Sequence, residues 1–88
     1  MRTSHNHVWR LRCIRPKTKL LLLALVDAAD VSDTVTNGFQ QILDRTGLPP
    51  GSLAHHIQVL EDKKIVSLIG RSVSLNSQQI ERLANAEN

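Results

Sequence analysis

Residues 39–76, FQQILDRTGLPPGSLAHHIQVLEDKKIVSLIGRSVSLN, decide the fold of this chain. Ile42 and Leu43 give residues 38–46 an apolar patch suited to a short helix. Gly47 stands where such a helix ends in the left-handed conformation that glycine adopts without steric cost. Leu48 then leads into Pro49-Pro50: the first proline forces extended backbone before it, and the second suits the opening turn of a new helix. That helix is expected over residues 50–64. Leu53, Ile57 and Leu60 recur along it at i, i+4 and i+7, while Ala54, His55, Gln58, Glu61 and Asp62 point elsewhere. One side is built to pack, and the other is left for a partner.

The rest of the stretch reads as a hairpin over residues 65–76. With Gly70 and Arg71 as the central residues of a type II′ turn, Ile69 pairs with Ser72, Leu68 with Val73, Ser67 with Ser74 and Val66 with Leu75. Both all-apolar pairs then share one face, and the serines, with Ile69 as the exception, share the other. A two-stranded hairpin alone is marginal, so this one is expected to lie on the helices. Working outward, the apolar run Leu20–Val26 belongs to a buried helix over about residues 16–29. The polar segment DVSDTVTN (30–37) reads as a loop, with Asn37 as a candidate helix cap. SQQIERLANAEN, opened by Asn76 or Ser77, predicts a last helix over 77–86 with Ile80, Leu83 and Ala84 on one stripe, packed on its own domain or on a symmetry mate. The sum is a mainly α chain with a small β-hairpin, an α+β class whose element order predicts a winged helix-turn-helix.

Two resemblances follow from these residues. GLPPGSLAHHIQVLEDKKIV and GRSVSLN, within residues 47–76, resemble the winged-helix repressors of the arsenic-responsive (ArsR) and related bacterial classes. There a G-L-S-x-S-x-V-S-H-H-L-x-V-L segment leads to a wing ending in G-R-x-V-x-x-x-L-N. The front half, RPKTKLLLLALVDAAD followed by a loop and the helical pair (residues 15–60), is similar to the winged-helix domains that open phage and plasmid replication-initiation proteins. Both imply the same fold and a double-stranded DNA partner. The first implies a small transcriptional regulator, usually a twofold dimer on pseudo-palindromic sites; the second implies a replication-initiation or maintenance module.

Composition sets bounds. The 88 residues suit one domain with a small aliphatic core: 41% are hydrophobic and 2% aromatic. A single cysteine, Cys13, excludes an internal disulfide and fits a reducing cytoplasm. The seven-residue run Leu20–Val26 falls far short of the roughly 20 residues that span a membrane. It also makes a poor signal peptide, since cleavage would remove an essential helix. The net charge of +3 is unevenly spread. Residues 1–19 hold six basic residues and no acid, whereas the remainder holds five basic and eight acidic residues. Residues 1–14 are therefore read as a basic arm ahead of the domain at 15–88. The arm is either a solvated tail or a phosphate contact, and phosphate neutralisation supplies most sequence-independent affinity for DNA. Residues Val8–Ile14 alternate, with Trp9, Leu11 and Cys13 opposite Arg10 and Arg12, which predicts a short strand with Trp9 as a core anchor.

On the expected recognition helix, Ser52, His55 and Gln58 are the side chains able to hydrogen-bond to base edges, Gln58 to an adenine and His55 to a guanine. Arg71 at the wing tip suits the adjacent minor groove or backbone. Arg45, Lys63, Lys64, Arg10 and Arg12 are candidate phosphate contacts, or plain surface charges. So few readers predict modest intrinsic affinity, raised by dimerisation or by the arm. His55-His56 is a poor start for a metal site, which needs three or four ligands. The repressors resembled sense metals through cysteine pairs in the first helix of the motif or Asp/His sets in the last helix. Residues 39–46 contain no cysteine and residues 77–88 no histidine. No cofactor is expected, His56 reads as a partly buried packing residue, and no nucleophile, base and orienter constellation points to an enzyme. The weak reading face and the acidic balance after residue 19 keep a winged helix used for protein contacts in view.

Overall fold

A computed structural model describes residues 5–86. In chain order it contains α1 (His5–Arg10), α2 (Pro16–Ala28), β1 (Thr34–Val35), α3 (Phe39–Thr46), a 3-10 turn (Pro50–Ser52), α4 (Leu53–Asp62), β2 (Val66–Ile69), β3 (Ser72–Leu75) and α5 (Ser77–Ala86). The fold is mainly helical with one small antiparallel sheet of order β1-β3-β2, an α+β architecture.

The leucine run makes α2 the central helix. Leu21, Leu22 and Leu25 are fully buried and Val26 nearly so, which explains a helix with almost no polar face in its middle turns. Among the described residues no helix is long and apolar enough to cross a membrane. α3 packs on α2 through Ile42 and Leu43 and ends at Gly47, whose φ of +71° and N–H bond to the Leu43 carbonyl (2.9 Å) make the left-handed cap. Its start departs from expectation. Gly38, not Asn37, is the cap residue, and it has no side chain with which to cap the helix.

α4 buries His56, Ile57 and Leu60, and Leu53 packs against the core. The expected helix over 50–64 is shorter at both ends. Residues 50–52 form a 3-10 turn in which the Ser52 N–H bonds to the Pro49 carbonyl (3.0 Å). The far end closes at Lys64, which takes a left-handed φ of +62°. There the Lys64 N–H bonds to the Glu61 carbonyl (2.9 Å) and the Ile65 N–H to the Leu60 carbonyl (2.9 Å), and the side chains of Leu60 and Ile65 are both fully buried. This double reversal with its apolar clasp stops the helix without a glycine.

The hairpin has the expected register, Val66 with Leu75 through Ile69 with Ser72. Gly70 carries the positive φ (+62°) that the first central position of a II′ turn demands, and Arg71 does not. The segment expected to be a plain loop supplies a third strand: Thr34 pairs with Ser74 and Val35 with Val73. The Asp30 carboxylate folds this segment by accepting from the Ser32 N–H (2.9 Å), the Ser32 hydroxyl (2.6 Å) and the Thr34 N–H (3.2 Å). Asp33 then takes a left-handed φ of +57°, and its carbonyl receives the Leu75 N–H (2.7 Å).

The N-terminal segment also differs from expectation. Instead of a strand, residues 5–10 form α1, which buries Val8, and the chain that follows it buries Leu11 and Ile14. They pack against α2 and α5, with Ile80 and Ala84 of α5 fully buried. Trp9, expected as a core anchor, is 63% exposed.

Candidate nucleic-acid interface

α4 lies between two clefts of different chemistry. On one side the hairpin tip stands beside the helix, and a groove of about 430 Å³ is lined by Phe39, Leu53, Ala54, Ile57 and Gln58 on the helical side and by Leu68, Gly70, Arg71 and Val73 on the hairpin. Its floor is apolar, and on the hairpin Leu68 is about half exposed and Ile69 more so. Two of the expected readers, Gln58 and Arg71, meet here. The Gln58 amide is already engaged, its Nε2 donating to Asp62 Oδ1 one turn on (2.9 Å).

On the other side α4 faces the start of α2. Two adjoining cavities of about 500 and 420 Å³ share Arg15, His55 and His56; Lys63 lines the first and Lys17 the second. Among the described residues no carboxylate lines either. Beneath them Thr18 Oγ1 and His56 Nδ1 are hydrogen-bonded at 2.9 Å, joining α2 to α4 inside the core. Burial holds the His56 imidazole below its usual pKa, and the charges of His55 and Lys17 act in the same direction. The His55 ring meets His56 edge-on, with centroids 5.4 Å apart.

The remaining expected site residues scatter. Ser52 Oγ donates to the Pro49 carbonyl (2.8 Å) and serves the turn. Arg45 lies 3.9 Å from Asp27, whose other oxygen meets His5 Nε2 at 2.6 Å, so Arg45 belongs to a link between α3, α2 and α1. Lys64, Arg10 and Arg12 are exposed and line neither cleft beside α4. The sequence pattern thus singles out Gln58 and Arg71, which share one cleft, and His55 and Lys63, which share the other, but it passes over Arg15 and Lys17. A signal for them exists: both sit at the start of a helix, where the macrodipole favours acids. Among the described residues no group of three or more histidine, cysteine or acidic side chains is placed to hold a metal.

Comparison with known protein families, curated proteins and solved structures finds no match to this chain.

Proposed function

We propose that this chain is a winged helix-turn-helix protein that binds double-stranded DNA sequence-specifically, acting as a small transcriptional regulator rather than an enzyme. On this reading α3 and α4 are the helix-turn-helix, α4 enters the major groove, and the β2–β3 hairpin is the wing. One observation carries it. The exposed face of α4 presents His55 and Gln58 between a hairpin tip bearing Arg71 and a cleft lined by cations with, among the described residues, no acid. Base-edge donors and acceptors flanked on both sides by cations are what a duplex reader needs. A twofold dimer would double this surface; the apolar stripe of α5 is covered by α1, so pairing uses another face. Light scattering at tens of micromolar tests that point, and a monomer mass removes the dimer in solution.

Fluorescence anisotropy with random duplex at two salt concentrations, then selection from a randomised duplex pool, tests the whole. Salt-sensitive binding and an enriched palindrome support it, and the motif's genomic position separates promoter from replication origin. Absence of binding at low salt leaves the second reading, a winged helix used for protein contacts. The apolar groove and the Gln58–Asp62 bond favour that alternative.

A further inference from the structure

We propose that the cleft between the N-terminus of α2 and the flank of α4 is a phosphate-binding site, built by Arg15, Lys17 and His55 with Lys63 in the adjoining cavity, and that its ligand is a backbone phosphate of the bound duplex. The second half rests on DNA binding as proposed above; the first half does not.

Four observations converge. α2 opens without a cap from its own cap residue: Arg15 occupies that position with no side-chain cap bond, and Pro16 follows it. The first intrahelical bond is from the Lys19 N–H to the Arg15 carbonyl (2.8 Å), so the N–H groups of Lys17 and Thr18 are the orphan donors of the first turn. The first turn holds no acid, and Arg15 and Lys17 stand there instead, against the helix dipole. A chain violates so local a rule where function asks for it. Across the cleft α4 contributes His55 to both cavities and its C-terminal neighbour Lys63 to one of them, and among the described residues no carboxylate lines either. Among the described residues none of Arg15, Lys17 and Lys63 pairs with an acid, although the chain beyond residue 19 is net acidic. Cations crowded in a concave, acid-free site focus positive potential, and an anion there would cap the helix and relieve the crowding together. A tetrahedral phosphate offers several acceptors, enough for the backbone donors and for the cationic side chains beside them.

The test uses the full chain. In the first arm, isotopically labelled protein is titrated with inorganic phosphate against sodium chloride at equal ionic strength and fixed pH. The expected result is a saturable shift of the Lys17 and Thr18 amides and the His55 ring with phosphate only. In the second arm, duplex affinity is measured against salt for the wild type and the Arg15→Gln/Lys17→Gln double variant. The slope of log affinity on log salt is expected to flatten by about 1 for each phosphate that the variant no longer neutralises. A thermal midpoint at or above that of the wild type shows that the variant folds. Phosphate shifts without duplex binding by the wild type keep the site and reject DNA as its ligand. Phosphate shifts with an unchanged slope likewise assign the cleft to a free phosphate. Duplex binding with no phosphate-specific shift and an unchanged slope overturns the site while leaving DNA binding intact.

Discussion

At the residue scale the structure hinges on His56 and Gln58. His56 is buried against Thr18, and burial above all, with the charges of His55 and Lys17, lowers its folded pKa below the ordinary 6.5 that an unfolded chain keeps. The folded state then binds fewer protons than the unfolded one, and stability rises with pH through this window. The contribution is complete above 6.5 and is lost as pH falls toward the folded value. Urea midpoints of the wild type are expected to drop between neutral pH and mildly acid pH, and His56→Gln should flatten that drop. Thr18→Val, which orphans the imidazole, is expected to cost about 1–3 kcal/mol. Gln58 raises the opposite question, because Asp62 both occupies its amide and places a negative charge beside the proposed reading face. Gln58→Ala and Arg71→Ala are expected to lower affinity for the selected duplex, by about 1–3 kcal/mol for a bidentate base contact at Gln58. Asp62→Asn, relieving phosphate repulsion, should raise affinity for all duplexes. If Asp62→Asn and both alanine variants leave anisotropy titrations unchanged, the partner is a protein.

At the scale of elements, what was legible followed from residues whose conformation is dictated locally. Gly47 and Gly70 each take the positive φ that their place in the pattern required, and the strand register followed from the turn. Residues 30–37 were illegible for the converse reason. β1 is only Thr34–Val35, too short for a period, and it exists because the Asp30 carboxylate folds the chain back onto β3. α1 misled through ambiguity: only residues 8–10 of the alternating segment are helical, too few to show either period, and packing against α2 and α5 decides. The end of α4 was displaced because a lysine fills a position that usually signals itself by glycine. That lysine is strained, so Lys64→Gly is expected to stabilise the chain by about 1 kcal/mol in chemical denaturation. Gly47→Ala, made where the helix reverses at φ +71°, should destabilise it by about the same amount. An unaltered midpoint for both would mean that these reversals relax when substituted. The candidate site was legible only in halves: Gln58 and Arg71 declare themselves by lying on a helix face and a turn, whereas Arg15 and Lys17 join His55 only through the packing of α2 on α4.

For the whole molecule, the uneven charge takes a different meaning once α1 is seen. As bare sequence, residues 1–14 form a basic arm that could be removed to ask whether it binds phosphates. Folded, Val8 and Leu11 are fully buried and Ile14 nearly so, in one core with Leu21, Leu25, Ile80 and Ala84. Single truncations of buried leucines cost about 2–5 kcal/mol, and a domain of this size has only about 5–15 kcal/mol of stability. Deleting residues 1–12 is therefore expected to unfold the chain or leave α5 unpaired, with loss of helical signal in circular dichroism well below the wild-type melting temperature. Any fall in DNA affinity after that deletion would report on folding. Arg10→Gln/Arg12→Gln, checked for an unchanged melting temperature because Arg12 also makes an interaction within the fold, asks the electrostatic question at two exposed side chains. Neither lines the cleft formed by Arg15, Lys17, His55 and Lys63. If that cleft is the main phosphate contact, the Arg10/Arg12 variant should retain most of the salt dependence that the Arg15/Lys17 variant loses. The reverse order of slopes would move the phosphate contact to α1 and make the first helix, rather than the start of the second, the electrostatic footing of the molecule on its duplex.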